Sequence, residues 1–153
     1  MKFRIFTAIS IFIMIVIFVH SAMPAEMSSI ESSVFERFVA SILGVAPESV
    51  TFAVRKCAHF TEYLVLGLFM MLAAVNEKRG YSFITGLITC VIGTCYAVSD
   101  EVHQLFVPGR SCELRDMCID TAGILCGVLI ITGVRHLHTL NREGAWHRNT
   151  LTH

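Results

Sequence analysis

The sequence is poor in charge for its length. Only 16% of its 153 residues are charged, 54% are hydrophobic, and the mean hydropathy is +0.65. A soluble domain carries about 25% charged residues, so this scarcity excludes an ordinary soluble fold. The net charge is zero and no basic tract is interleaved with aromatic residues, which indicates that nucleic acid is not a partner.

The sequence also lacks paired cysteines. Its six cysteines are scattered, and none belongs to a Cys-x-x-Cys motif. Cys90, Cys95 and Cys126 fall inside apolar segments, where cysteine commonly fills space as a small apolar residue. Cys112 and Cys118 could pair only on a side of the membrane that oxidises thiols. We therefore expect six free thiols, and the sequence predicts no cofactor.

What the sequence does contain is four apolar segments that are long enough to cross a membrane. The predicted spans are 3–19, 57–75, 81–98 and 117–134. The first has a rival interpretation as a cleaved signal peptide, because a basic start precedes it and Ser21 and Ala22 follow it, but we favour a retained span. The sequence predicts an all-α integral membrane protein, a four-helix transmembrane bundle. Residues 1–135 form its transmembrane domain and residues 136–153 a cytoplasmic polar tail.

Basic residues beside the spans predict the orientation of the bundle. One side receives Lys2, Arg4, Lys78, Arg79, Arg135, Arg142 and Arg148. The other side receives Arg37, Arg55, Lys56, Arg110 and Arg115. The first set is larger, so both termini are expected in the cytoplasm, with the protein in the plasma membrane of a bacterial cell. Cations on the outer side oppose this orientation, and an anionic ligand or carboxylate partners would explain them.

Two outer connections carry local patterns of their own. Ser33 and Glu36 have the spacing of a capping box, and apolar residues then recur at helical spacing until Gly44. This pattern predicts an amphipathic helix that lies on the outer leaflet or covers the bundle. Between the third and fourth spans, the apolar segment 105–109 ends in a Pro-Gly turn and is expected to dip into the membrane as a re-entrant turn. Arg110 would then lie over the polar residues and face a ligand.

Polar residues of three spans fall on helix faces that meet at the outer side. Arg55, His59 and Glu62 are spaced by four and three residues, so they share one stripe on the second span. On the fourth span, Gly123 and Gly127 continue the polar stripe with a GxxxG spacing that allows close helix packing. The sequence therefore predicts that charges meet at the outer end while small residues pack deeper in the bundle.

Charge at membrane depth is costly, so clusters of this kind are usually functional. The candidate catalytic residues are His59, Glu62, Asp100 and Glu101. The candidate substrate-binding residues are Lys56, Arg55, His103, Gln104, Arg110, Asp116 and Asp120.

The segments 55–64, 99–110 and 116–127, with the Ser-Ala-Met-Pro at 21–24, resemble the VanZ-like family of bacterial membrane proteins. The founding member of that family confers low-level resistance to the glycopeptide antibiotic teicoplanin, and the family has no settled biochemical activity. The resemblance implies an envelope role related to glycopeptide tolerance. Residues that match the polar pattern of the family are Lys56, His59, Glu62, Asp100, Glu101, Gln104, Arg110, Asp116 and Asp120. Asp120 stands where the family pattern leads us to expect Asn or Asp, and it adds negative charge.

Three classes of function remain open, and the sequence leaves undecided whether the protein is an enzyme. An enzyme at the outer leaflet would use His59 or Asp100 as general base, while Arg110 with Lys56 held a phosphate or another anionic headgroup. A binding protein would recognise an envelope lipid or glycopeptide without turnover. In both cases the predicted partner is a membrane lipid or a cell-envelope precursor.

The third class is structural, with charges that only hold the helices together. Arg55 would pair with Glu62, and Arg110 would pair with Asp116 or Asp120. Packing alone could be achieved by the small-residue stripes, so this interpretation accounts poorly for the whole set of charges.

A metal site is the last alternative. His59 with Glu62, and Asp100 with His103, are pairs of the i, i+3 type that recur in metal sites of helical bundles, and two aspartates follow on the fourth span. Nearby cations would repel a divalent ion; they are Arg55, Lys56, Arg110 and Arg115. We therefore predict no metal. His20 is expected to be a surface histidine, like the histidines of the tail.

Overall fold

The structure is a computed structural model that describes residues 2–75 and 82–150. Its helices are α1 (Lys2–Ser21), α2 (Ala25–Leu43), α3 (Thr51–Ala74), α4 (Phe83–Gln104) and α5 (Leu114–Thr150), with a 3-10 turn at Pro47–Ser49. No strand occurs among the described residues. Within the described residues, four helices contain stretches long and apolar enough to cross a membrane, namely Phe3–Ser21, Thr51–Ala74, Phe83–Gln104 and Leu114–Thr139. The prediction of an all-α membrane bundle is confirmed.

The outside of this bundle is apolar. Large side chains such as Phe12, Ile88, Ile92 and Leu129 are more than half exposed. In water, apolar side chains exposed along a whole helix would cause a protein to aggregate. In a membrane the same side chains contact lipid chains, which are equally apolar. The bundle is therefore built for a lipid environment on its flanks.

α3 and α5 form the closest pair of helices because glycine lines their contact. A Cβ atom on Gly67 would lie 2.6 Å from the carbonyl oxygen of Ile124, and one on Gly123 would lie 2.6 Å from that of Phe60. On Gly127 the same atom would lie 2.5 Å from the Leu64 carbonyl oxygen. These distances leave no room for a side chain, which is the physical reason for the predicted GxxxG stripe.

The helices are longer at the charged ends than the predicted spans. α3 begins at Thr51, α4 continues to Gln104, and α5 begins at Leu114 and continues to Thr150. A span predicted from hydropathy stops at the first charged residue. The helix itself continues, because a charged side chain does not interrupt the hydrogen bonds of the backbone. The predicted polar tail is therefore helical over residues 136–150, and its remainder, like the connection at 76–81, lies outside the described residues. The domain boundary at residue 135 stays a prediction.

The predicted start of the amphipathic helix is wrong, whereas its end is confirmed. α2 begins at Ala25, directly after Pro24, and Ser33 lies in its interior, where its hydroxyl donates to the Ile30 carbonyl at 2.7 Å. Proline with extended backbone before a helix, and an acidic residue in the first turn, favour this earlier start. The helix ends at Gly44, whose φ of 67° is the left-handed conformation that glycine adopts readily.

Glu36 does not cap α2 but joins it to α3. Its carboxylate accepts hydrogen bonds from Ser32 at 2.6 Å and from Thr51 at 2.9 Å. The apolar side chains of α2 are left largely exposed, as seen at Ile30, Val34, Phe35, Phe38 and Ile42. This amphipathic helix is thus tied to the start of α3 while its apolar face points away from the bundle.

The connection between α4 and α5 packs against α2. Gly109 has a φ of 74°, and the carbonyl oxygen of Pro108 accepts from the backbone N–H of Ala25 at 3.3 Å. Val107 is buried, while Phe106 is 80% exposed. A large exposed aromatic beside a tight turn suits the predicted contact with the membrane interface, which stays a prediction. The loop brings Arg110 next to the end of α1.

Candidate functional site

Most of the predicted site residues lie at one end of the bundle, which we call the polar end. It is formed by the last turns of α1 and α4, the first turns of α3 and α5, and the covering helix α2. The polar end contains three features: a cavity, an ion cluster around Lys56, and a buried cluster around Asp120.

The cavity has a volume of about 310 Å³. Five predicted site residues line it: Arg55, His59, Glu62, Asp100 and Arg110. The lining residues that the sequence interpretation did not select are mostly hydroxyl or apolar, and include His20, Ser21, Ser28, Ser32, Phe35, Glu36, Thr51, Val54 and Ala58. The cavity therefore combines a charged rim with apolar walls.

Glu62 contacts a histidine of α1 rather than the arginine expected from helical spacing. His20 Nδ1 lies 2.8 Å from Glu62 Oε1, and both side chains are about one third exposed. The Arg55–Glu62 pair of the structural alternative is therefore not formed among the described residues, and His20 is a partly exposed histidine that contacts Glu62. Helical spacing compares residues of one helix, so it gives no information about a partner on another.

Asp100 lies at the inner wall of the cavity, almost fully buried. Its Oδ1 accepts a hydrogen bond of 2.6 Å from the hydroxyl of Ser21. Its Oδ2 and the hydroxyl of Tyr63 have no hydrogen-bond partner among the described residues. Asp100 is therefore a buried carboxylate with one short hydrogen bond, and its second oxygen is closed off from the cavity.

Arg110 is held by backbone carbonyl groups. Its Nε donates to the Met23 carbonyl at 3.0 Å and its Nη2 to the His20 carbonyl at 3.3 Å. Burial lowers the pKa of the Arg110 guanidinium, and the positive charge of Arg55 lowers it further. The predicted pairing of Arg110 with an aspartate of α5 is thus wrong, because the loop turns this side chain toward α1.

Arg55 lies on the exposed side of the cavity. Among the described residues it forms no ion pair with a carboxylate. Arg55 and Arg110 line the same cavity, together with the carboxylates Glu62 and Asp100. Two cations in one cavity, neither of them in an ion pair with a carboxylate among the described residues, form a site suited to an anion.

The ion cluster consists of Lys56, Glu113, Arg115 and Asp116. Lys56 Nζ contacts Asp116 Oδ1 and lies 3.3 Å from Glu113 Oε2. Arg115 Nη2 lies 2.9 Å from the same Glu113 oxygen, and this contact, with Lys56, lowers the pKa of Glu113. The cluster joins α3 to α5, and Lys56 does not line the cavity that holds Arg110. Lys56 and Arg110 are therefore not placed to bind one ligand together in this cavity, as the enzyme hypothesis requires.

The buried cluster consists of His59, Glu101 and Asp120. His59 Nδ1 lies 3.4 Å from Asp120 Oδ1, and one oxygen of Glu101 completes a set of atoms within 4.8 Å of one another. Glu101 Oε1 accepts from Gln104 at 3.3 Å. Its Oε2 accepts from the backbone N–H of Glu113 at 3.0 Å. Only His59 of this cluster also lines the cavity.

His103 belongs neither to the cavity nor to the ion cluster nor to the buried cluster. Its ring stacks on Phe18 of α1, with 4.5 Å between the ring centroids. It does not line the cavity, although it was a candidate for substrate binding. Gln104 is buried beside Glu101 and does not line the cavity either. His20 and Ser21, at the end of α1, line the cavity instead. Their sequence context indicates only the end of a span or a processing site, so the sequence offers no signal for this role.

Comparison with known proteins supports this assignment at the level of the family. A model of the family described as VanZ/LLP1 matches residues 6–135. No curated protein and no solved structure was found to match the chain. The match includes the second and third spans in full, most of the first and last spans, and every candidate site residue. The chain belongs to the VanZ/LLP1 family.

Proposed function

We propose that this protein binds the anionic headgroup of an envelope lipid or lipid-linked cell-wall precursor, and that it contributes in this way to glycopeptide tolerance. The observation that carries the proposal is that Arg55 and Arg110 line one cavity and that neither forms an ion pair with a carboxylate among the described residues. Arginine matches the geometry of phosphate because its planar N–H groups donate to two oxygens at once.

The other charges of the cavity are already engaged. Glu62 contacts His20, and Glu36 accepts from two hydroxyl groups. Asp100 accepts from Ser21, and its second oxygen is buried. An anion in the cavity would therefore contact the two arginines.

The walls suit an amphiphilic ligand. Ile17, Val54 and Ala58 of the bundle and Phe35 of α2 line the cavity beside its polar groups. The apolar face of α2 is exposed and would lie in the lipid surface. A lipid could thus place its headgroup at the arginines while its chains stay in the membrane. In the predicted orientation the cavity opens on the outer side of the bacterial plasma membrane.

Turnover is a second candidate function. Asp120 lies behind Nδ1 of His59, which leaves Nε2 as the ring nitrogen available to the cavity. A histidine held by a buried carboxylate can serve as general base. In this version the protein would act on the bound headgroup rather than only hold it.

Lipid binding by purified protein tests the proposal directly. We expect the protein in detergent to bind phosphatidylglycerol more tightly than phosphatidylcholine, as measured by native mass spectrometry. Arg55→Gln and Arg110→Gln should each weaken phosphatidylglycerol binding by about tenfold or more, because a hydrogen bond to a charged group contributes about 1.5–3 kcal/mol. Equal binding of the two lipids by the parent would contradict the proposal.

Arg37→Gln is the matched control. Arg37 is exposed on α2, donates to the Ser33 carbonyl and does not line the cavity, yet its substitution removes the same charge. Its phosphatidylglycerol affinity should stay at the parent value. If all three variants weaken binding alike, general charge rather than the cavity is responsible.

The role in tolerance is tested separately in cells. A susceptible Gram-positive host that expresses the parent should show a raised inhibitory concentration of teicoplanin. At equal membrane abundance, Arg55→Gln and Arg110→Gln should return this value to that of the empty vector, while Arg37→Gln should not. If the parent binds anionic lipid but does not alter susceptibility, the binding proposal stands and the tolerance role fails.

A further inference from the structure

Three metal-ligating side chains converge from three helices in the buried cluster. His59 comes from α3, Glu101 from α4 and Asp120 from α5, and their ligand atoms lie within 4.8 Å of one another. Glu101 and Asp120 are fully buried. These residues are far apart in sequence, so they do not form the i, i+3 pairs that the sequence suggested.

Asp120 is the least satisfied side chain of the cluster. Neither of its carboxylate oxygens forms a hydrogen bond among the described residues, and its one close contact is the ion pair of 3.4 Å with His59 Nδ1. A buried carboxylate without a hydrogen bond is among the costliest groups in a protein interior, and burial in a membrane makes it costlier. A cation bound between Asp120 and His59 would satisfy all three atoms at once.

The separation of the two side chains fits such a cation. A charge-assisted N–H···O hydrogen bond spans about 2.7–2.9 Å, shorter than the 3.4 Å between His59 Nδ1 and Asp120 Oδ1. Two ligand atoms that each lie about 2.1 Å from one tetrahedral zinc ion are separated by about 3.4 Å. We infer that His59, Glu101 and Asp120 form a binding site for a divalent transition metal of the zinc class.

The donor set defines the class of metal. One imidazole nitrogen and two carboxylates suit zinc and its neighbours, whereas calcium and magnesium prefer oxygen ligands alone. Three protein ligands leave a fourth position open, as in sites where zinc binds water or a ligand oxygen. Because His59 also lines the cavity, that position would lie on the cavity side.

Glu101 has the supporting contacts that ligating carboxylates usually have. The amide of Gln104 and the backbone N–H of Glu113 each donate to one of its oxygens. Such contacts fix the orientation of a ligand, and every carboxylate oxygen keeps a second lone pair for a metal. A small rotation of the Glu101 side chain would complete the set.

The cations that opposed a metal in the sequence are directed elsewhere. Lys56 contacts Asp116 and Glu113, and Arg115 contacts Glu113 on the surface. Arg110 contacts backbone carbonyls at the end of α1. The electrostatic argument against a metal therefore loses most of its force. This inference does not depend on the proposed binding of an anionic headgroup.

Metal content of the purified protein tests the inference. After treatment with a chelator and incubation with Zn²⁺, the parent should retain about one more zinc ion per chain than Asp120→Asn or Glu101→Gln, since each variant removes one of three ligands. The zinc affinity of these variants should fall by about a hundredfold or more. Removal of a residue that only hydrogen-bonds to a metal ligand typically lowers metal affinity by about 10- to 100-fold. Inductively coupled plasma mass spectrometry measures the content and competition with a zinc dye measures the affinity.

Glu62→Gln is the matched control. It removes a carboxylate from the cavity next to His59 but leaves the three ligands intact, and it keeps the histidines of the tail that could bind zinc adventitiously. It should bind zinc like the parent. If Asp120→Asn and Glu101→Gln bind as tightly as this control, the inference is wrong.

Stability separates loss of a ligand from loss of the fold. In chelator, Asp120→Asn should melt at or above the temperature of the parent, because it removes the charge of a fully buried carboxylate that makes no hydrogen bond among the described residues. Zinc should raise the melting temperature of the parent and leave that of Asp120→Asn unchanged. If the variants do not accumulate, the visible absorption spectrum of the parent with bound Co²⁺ tests the site instead. The intense bands of a tetrahedral site are expected, and the weak bands of an octahedral site would overturn the inference. Phosphatidylglycerol binding in chelator tests the proposed function independently.

Discussion

Among individual residues, the cations of the polar end differ in what they contact. Lys56 and Arg115 contact carboxylates of the ion cluster, whereas Arg110 contacts only backbone carbonyls and Arg55 has no carboxylate partner among the described residues. The sequence interpretation treated all four as one group. The contacts divide them into cations that stabilise the bundle and cations that are available to a ligand.

We expect Lys56→Met to destabilise the protein strongly. The substitution keeps an apolar stem but leaves Asp116, which is only 3% exposed, without its cation. Breaking a buried ion pair from one side costs about 3–5 kcal/mol, so the melting temperature in detergent should fall by about 6 °C or more. Thermal unfolding followed by circular dichroism measures this.

Arg115→Met provides the comparison. Arg115 contacts Glu113 in the same cluster, but its side chain is 59% exposed, and exposed pairs contribute less than about 1 kcal/mol. Its melting temperature should stay close to that of the parent. Equal melting temperatures for the two variants would show that Lys56 is not a stabilising residue.

Among the helices, α3 and α5 are the pair on which the site depends. All residues of the ion cluster lie on these two helices or directly before α5. Two of the three residues of the buried cluster, His59 and Asp120, also lie on them. Glycine lets their backbones approach until a Cβ atom at the contact would clash. The position of His59 relative to Asp120 is therefore set by backbone contacts deeper in the bundle.

We expect Gly123→Ala to disturb this pair. The new Cβ atom would lie 2.6 Å from the Phe60 carbonyl oxygen, so the helices must separate, at a cost of about 1–3 kcal/mol. Thermal unfolding should show a lower melting temperature than the parent. Gly133→Ala on the same helix is the control, because nothing lies within 4 Å of its Cβ position and alanine favours a helix. An equal effect of the two substitutions would contradict the packing argument.

For the whole molecule, the four spans place the polar end on one side of the membrane and the start of α1 on the other. The balance of basic residues predicts that the polar end faces outward. The proposed function requires this orientation, because glycopeptides and exposed wall precursors are reached from outside the cell.

Cysteine labelling in intact cells tests the orientation. A variant whose only cysteine is Cys112, which lies in the loop at the polar end, should react with a membrane-impermeant maleimide. A cysteine-free variant with Ser82→Cys, at the exposed start of α4 on the opposite side, should react only after permeabilisation. The reverse pattern of labelling would place the cavity in the cytoplasm and exclude the proposed role.

The extent of the sequence prediction differs between fold and site. Segment length and hydropathy were sufficient for four spans, because a helix is the structure in which one chain segment satisfies its own backbone in lipid. Helical spacing likewise indicated the stripe that carries Arg55, His59 and Glu62. The capping-box pattern of Ser33 and Glu36 predicts the wrong start for α2. These two residues lie inside a helix that begins at Ala25.

The partners of the charged residues could not be obtained from the sequence. His20 with Glu62, Ser21 with Asp100, and His59 with Asp120 each join different helices, and their contacts depend on helix rotation and axial shift. Local patterns report the face of a helix but not which neighbour that face meets. The membrane class and the polar end thus follow from composition and periodicity, which act along the chain. The cavity with its two arginines and the buried cluster arise from packing between helices, which acts across the chain.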